Sequence, residues 1–386
     1  LAVAVGLREL RLDQPAVDAF CQQQSAWLQD FALFQVLKTT FSDKPWYEWP
    51  SAYRERDPQQ LDSFAAENQS AIDDIIWQQF QLHRRWLEIR QTARSKGIFL
   101  FGDLPIFVAL DSADVWANSQ QFLLDDKLQP TYVAGVPPDY FSETGQRWGN
   151  PHYHWENMQA DDFNWWQERM RHMATLYDIV RIDHFRGLQA VWMIDAGCDT
   201  AIEGFWQEVP GAALLKKLSA NFPDLHLVAE DLGLITPPVV ALREAFNLPG
   251  MSVLQFAFDA FEDNPHKPQN IDANRVVYTG THDNNTTIGW FSELQPHEQD
   301  FVFDLLHSEK REDIARLLIE TAMHCEANTV IVPLQDLLEL GGEARMNVPG
   351  VTDGNWQWWF DWASLNENLC QQLQELLKHS GRSHEI

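Results

Sequence analysis

The stretch YDIVRIDHFRG, residues 177–187, begins as an apolar run and closes on Arg181, Asp183, His184 and Arg186. Charged groups at the end of a buried strand are costly unless they pair or act on a ligand. Strand alternation puts Arg181 and Asp183 on one face. A guanidinium beside a carboxylate keeps it ionised, as a nucleophile requires, although a structural ion pair would show the same pattern. The stretch LVAEDLG, residues 227–233, supplies Glu230 behind Leu227, Val228 and Ala229. Such apolar surroundings push a carboxyl pKa up toward the range of a general acid. One carboxylate held ionised and another kept protonated is what glycoside chemistry needs, and a separation of about 5 Å would make the reaction a retaining one with a covalent glycosyl intermediate. A third group, TGTHDNN at 279–285, offers His282 and Asp283 for hydrogen bonds to ring hydroxyls that strengthen as the ring flattens. A His-Asp pair is also an ordinary turn feature. No further His or Cys stands at metal-ligand spacing, so no metal is expected.

These residues sit in a recurring pattern of short apolar runs: GIFLFGD (97–103), YDIVRID (177–183), LHLVAED (225–231), MSVLQFAFD (251–259), RVVYTGTHD (275–283) and NTVIVPLQD (328–336). Helical segments such as DDFNWWQERMRHMATL and GAALLKKLSANF lie between them. Alternation of this kind predicts βαβ units and a parallel sheet. Nearly every run ends in a carboxylate: Asp103, Asp183, Glu230 with Asp231, Asp259, Asp283 and Asp336. In a (β/α)8 barrel the carboxyl ends of the strands converge on one face, which would gather them. An open doubly wound nucleotide fold lacks support, because no Gly-rich phosphate loop follows any run.

Residues 1–96 read as a mainly helical subdomain and 97–386 as the barrel portion. The best helix lies at 70–96, with Ile72, Ile76 and Phe80 at helical spacing, Gly97 as its stop and Ser70 with Asp73 as a capping box. Residues 104–150 form a long, irregular insertion, expected to act as a lid. There Pro137 and Pro138 stiffen the backbone that presents Asp139, Tyr140 and Phe141.

Composition excludes several classes. The 386 residues carry 56 acidic and 28 basic side chains, a formal charge of −28 that would repel nucleic acid and anionic lipid surfaces. No apolar run is long enough for a membrane span, and the start reads as no secretory signal, so a cytoplasmic protein is expected. Cys21, Cys198, Cys325 and Cys370 are far apart and read as buried free thiols. Seventeen tryptophans are many for this length. About two thirds should be core and helix packing, and several in the loops KPWYEWP, RWGNPHYHWEN and NWQWWFDW could be platforms for sugar rings.

Taken together, FGDLPIFVALDSADVWAN, VAGVPPDYFSETGQRWGNP, VRIDHFRG, VAEDLG, LPGMSVLQFAF, VVYTGTHDN, VPLQDLL, and EARMNVPG with GNWQW resemble the amylomaltases, the 4-α-glucanotransferases of glycoside hydrolase family 77. The resemblance runs in family order from about residue 27 to 362. It implies a (β/α)8 barrel with inserted helical and loop subdomains, no cofactor, and transfer of α-1,4-glucan segments between maltooligosaccharides. By motif match Asp183 is the nucleophile, Glu230 the general acid/base and Asp283 the carboxylate that stabilises the distorted ring. Arg181 and His282 would contact the sugar at the cleavage point, and His184 would lie on the acceptor side. Asp139, Tyr140, Phe141 and Trp148 would belong to the lid, with Phe256 and Asn355 lining the cleft. Asn285 and Trp359 depart from the family, which often has an acidic residue and usually an arginine there. The family's first strands and its Ser-Pro-Tyr motif have no counterpart, so the barrel is expected to be incomplete at its N-terminus. An α-glucan hydrolase would use the same three carboxylates, and a silent glucan-binding protein would keep the cleft without turnover.

Overall fold

The computed structural model describes residues 14–138, 142–308, 313–351 and 353–383. The chain forms an α/β fold of two compact units, one up to Leu227 and one from Val228.

The first unit begins with helices, the longest being Gln69–Ser95. Ile72, Ile76 and Phe80 bury one face of it, as the four-residue spacing requires. Gly97 follows with φ +70°, the left-handed value that ends a helix without strain. The expected capping box does not form. The helix starts one residue earlier, after Asn68, and the Asp73 carboxylate accepts from Gln69 Nε2 at 2.8 Å. At the other end Trp86 Nε1 donates to the carbonyl of Leu176 at 2.8 Å, and Arg90 and Arg94 converge on the buried Asp178.

Asp178 immediately precedes β4 (Ile179–Ile182), which pairs in parallel with β1 (Phe101–Leu104) in a register that sets Asp103 opposite Arg181. Gly102 is required within β1, because a Cβ there would lie 2.3 Å from the Tyr177 ring. The supposedly irregular insertion carries structure of its own: β2 (Tyr132–Val136) and β3 (Gln146–Pro151) join β5 (Ala190–Asp195) and β6 (Phe205–Glu208) in an antiparallel sheet ordered β3-β2-β5-β6. Val133, Ile194 and Ala201 form its buried centre. Of these, β3 (QRWGNP) and β6 (FWQE) carry little buried apolar pattern, so a search for apolar runs passes over them.

β7 (His226–Ala229) runs across the boundary between the units. In the second unit β8 (Gly250–Val253), β9 (Arg275–Tyr278) and β10 (Thr329–Ile331) form a parallel sheet with β9 in the centre. Val277 and Leu254 pack there against Val302, Phe303, Ile314 and Leu318 of the following helices. Thus all six expected runs contain a strand. Two of the carboxylates that follow them nevertheless serve the scaffold. Asp336 sits in the short helix Leu334–Leu337, 1% exposed, and accepts from Thr279 Oγ1, Thr287 N and Thr287 Oγ1 at 2.6–2.8 Å. Asp259 closes a loop with Asn264 Nδ2 at 2.9 Å and Lys267 Nζ at 3.6 Å.

The side chains also sort the cysteines and tryptophans. The cysteines are free thiols, but three are half-buried and Cys370 is exposed, so none is buried as expected. Trp46 and Trp49 of KPWYEWP are buried and cannot be sugar platforms, whereas Trp148, Trp356, Trp359 and Trp362 are exposed.

Candidate active site

In the first unit the chemistry gathers where β1 and β4 end. Asp183 extends the ladder, its N–H donating to the carbonyl of Leu104 at 3.0 Å. Arg181 is buried, and its guanidinium grips Asp103 with two bonds, Nε to Oδ1 at 2.8 Å and Nη2 to Oδ2 at 2.6 Å. Nη2 also reaches Asp183 Oδ1 at 3.3 Å. The bidentate partner is therefore Asp103, while Asp183 receives the longer contact and keeps its side chain 41% exposed. Asp103 is the residue that sequence reasoning missed. It was legible as a strand-end carboxylate, but only the parallel register shows that it faces Arg181.

The chain turns sharply after Asp183, with His184 in the left-handed region at φ +49°. This conformation brings the His184 ring edge-on to Trp148 at 4.8 Å and 90°, so two expected substrate contacts meet. Phe107 continues the aromatic group, with its ring centroid 6.3 Å from that of Trp148. Burial first, and then the Arg186 charge, draw the His184 pKa down to about 4, leaving a neutral imidazole at physiological pH. Asp139, Tyr140 and Phe141 lie outside the described residues.

In the second unit Glu230 follows β7, half-buried, with Leu232 N donating to its Oε1 at 3.1 Å. Its setting is mixed. Leu227, Val228 and Ala229 are buried as expected, but the next residue, Asp231, lies among Arg243, Arg275 and the N–H of Met251. Burial raises the Asp231 pKa, against the pull of those cations.

His282 and Asp283 lie beyond β9, four and five residues past its last residue. His282 Nε2 is 3.4 Å from Asp283 Oδ2, and Asn347 Nδ2 donates to Asp283 Oδ1 at 2.6 Å. Trp356 tilts over the His282 ring with centroids 5.2 Å apart. Phe256 ends a short 3₁₀ turn, Leu254–Phe256, with its ring edge-on to His266 at 5.5 Å. Asn355, expected to line the cleft, makes hydrogen bonds within its own loop. Its Oδ1 accepts from Val348 N at 2.9 Å and its Nδ2 donates to Val351 O at 2.8 Å, so its side chain builds the loop. Asn285, one of the two departures from the family, donates to Glu293 at 2.7 Å, and the other, Trp359, is 87% exposed. Among the described residues no group of three His, Cys, Asp or Glu is arranged to hold a metal ion, and no helix is long and apolar enough to cross a membrane.

The first cluster supplies carboxylates, an arginine and aromatic faces, and the second unit supplies carboxylates, a histidine and a tryptophan face, each set being of the kind that binds neutral sugars. Comparison with known proteins agrees. The sequence profile of the family described as 4-alpha-glucanotransferase matches residues 4–364. The chain is 45% identical over 357 residues to the 4-alpha-glucanotransferase of Thermus thermophilus, covering 90% of this chain and 71% of that protein. It is 43% identical over 361 residues to the chloroplastic/amyloplastic 4-alpha-glucanotransferase of Solanum tuberosum, covering 93% of this chain and 63% of that one. The fold matches amylomaltase from Streptococcus agalactiae in complex with acarbose with a TM-score of 0.94 at 33% identity, over 99% of this chain and 77% of the other. This chain belongs to the 4-α-glucanotransferase family.

Proposed function

We propose that this chain carries the catalytic carboxylates of a 4-α-glucanotransferase that moves a segment of α-1,4-glucan to the 4-hydroxyl of an acceptor glucan or glucose. In this reading the parallel strands belong to a (β/α)8 barrel, and two displacements follow one another. Asp183 attacks the anomeric carbon while Glu230 gives its proton to the glycosidic oxygen, so the C–O bond breaks, the reducing-end segment leaves, and a glycosyl ester forms on Asp183. Glu230, now a carboxylate, takes the proton of the acceptor 4-hydroxyl, whose oxygen displaces Asp183 and restores the α configuration. Asp283 stabilises the flattened ring, Arg181 and His282 contact the sugar at the point of cleavage, and the His184–Trp148 pair lies on the acceptor side. A sugar bound there, with water kept out, favours transfer over hydrolysis.

The observation that carries this reading is the Asp103–Arg181–Asp183 series, in which a buried guanidinium fixed by one carboxylate orients a second, exposed one. The test is incubation with maltotriose and resolution of products by length over time. Glucose together with maltopentaose and longer chains, with little net gain of reducing ends and none of it in Asp183→Asn, is the expected result. Only glucose and maltose, with reducing ends rising, would make the protein a hydrolase.

A further inference from the structure

We infer that Asn347 is a positioning residue that fixes the Asp283 carboxylate, with residues 345–351 and 353–356 as the strap that holds Asn347 in place. The inference rests on the proposed role of Asp283. An ionised carboxylate only accepts hydrogen bonds, so the amide nitrogen of Asn347 is the group that faces it, 2.6 Å from Oδ1. That bond leaves Oδ2, on the side of His282 Nε2, as the oxygen turned toward a bound ring.

The strap is tied at several points. Asn347 N donates to the carbonyl of His282 at 3.1 Å, so the two backbones are joined beside the side-chain contact. Arg345 spans both: Nη2 donates to the carbonyl of Asp283 at 2.8 Å and Nε to that of Asn347 at 2.9 Å. Trp356 N donates to the carbonyl of Met346 at 2.8 Å while its ring covers His282, and the Asn355 side chain closes the turn between them. A carboxylate held by one short bond from a residue that is itself fixed has lost its χ freedom before substrate arrives, which is preorganisation in the sense required of a supporting shell. Of the titratable and charged groups, His282 lies 3.4 Å from the Asp283 carboxylate and Arg345 reaches the Asp283 backbone carbonyl.

The test compares Asn347→Ala, Asn347→Asp and Asp283→Asn with the unmodified chain, by maltotriose disproportionation rates across pH and by thermal melting. For Asn347→Ala the expected result is a kcat about 10- to 100-fold lower with KM little changed and the same pH profile. Asn347→Asp should behave differently. Two carboxyls at this distance share a proton, which lets the introduced carboxyl donate to Asp283 as the amide did; activity should survive at acid pH and fall as pH rises through the raised pKa of the pair. A merely structural residue would lower the melting temperature and give both variants the pH profile of the unmodified chain, and that outcome overturns the inference. So does a full rate in Asn347→Ala beside an inactive Asp283→Asn. A full rate in Asp283→Asn would instead overturn the role of Asp283 itself. Should Asn347→Ala fail to fold, the near-isosteric Asn347→Asp carries the comparison.

Discussion

Asp178 ties the helix Gln69–Ser95 to the start of β4, the strand whose far end bears Arg181 and Asp183. Its side chain is 5% exposed and accepts from Arg90 Nη2 at 3.0 Å, Arg94 Nε at 2.6 Å and Leu100 N at 2.8 Å. Removing one partner of a buried ion pair costs roughly 3–5 kcal/mol. Two features reduce that figure here. Arg90 retains the carbonyls of Ala174, Thr175 and Tyr177, and Arg94 is 54% exposed and can turn to water. Leu100 N, by contrast, loses its acceptor, at about 1–3 kcal/mol. We therefore expect Asp178→Ala to destabilise the first cooperative transition by about 2–4 kcal/mol at neutral pH. Asp178→Asn should cost less, because its amide oxygen still accepts. Burial alone would raise the Asp178 pKa, but the bonds from Leu100 N, Arg90 and Arg94 outweigh it and hold the carboxyl below its ordinary value. A depressed carboxylate contributes stability that is full above the unfolded pKa, about 3.9, and is lost as pH falls through the lower folded value. Urea titration followed by tryptophan fluorescence, repeated down the pH scale, measures both effects, and hydrogen exchange on residues 69–95 locates them. A neutral-pH difference below about 0.5 kcal/mol, or one that does not shrink below about pH 4, would refute the reasoning.

Asp336→Ala strands the Thr287 N–H and two threonine hydroxyls in the sheet core, and should cost about 3 kcal/mol, read by calorimetry; a loss under about 1 kcal/mol would show that the site relaxes or admits water. His152, His184 and His266 each have a pKa lowered to about 4, with burial the first cause. The unfolded chain takes up protons near pH 6.5 that the fold refuses until about 4, so stability should rise with pH across that window. Burial also draws the His83 and His172 pKa values down, so His184→Gln should remove somewhat less than about a third of the slope, and an unchanged slope would contradict the neutral ring.

The sequence by itself located the six runs that hold β1, β4, β7, β8, β9 and β10, because an apolar run bounded by turn residues is a local signal that needs no partner. It singled out Arg181, Asp183, Glu230, His282 and Asp283 as candidates for a related reason: charge at the end of such a run is anomalous unless it has work to do, and the motifs around it matched one family. What a carboxylate does once folded was not local. Asp103 and Asp336 looked alike in sequence, each trailing an apolar run, yet the register with β4 sets Asp103 against Arg181, whereas a short helix turns Asp336 into the core beneath Thr279 and Thr287. Asn347 and Asn355, eight residues apart in one loop, were equally ambiguous, and only the folded loop assigns the first to Asp283 and the second to its own turn. The antiparallel sheet and the Asp178 cluster were hidden because their partners lie tens of residues away, and hydrogen bonds across such separations are decided when tertiary packing brings the backbones together.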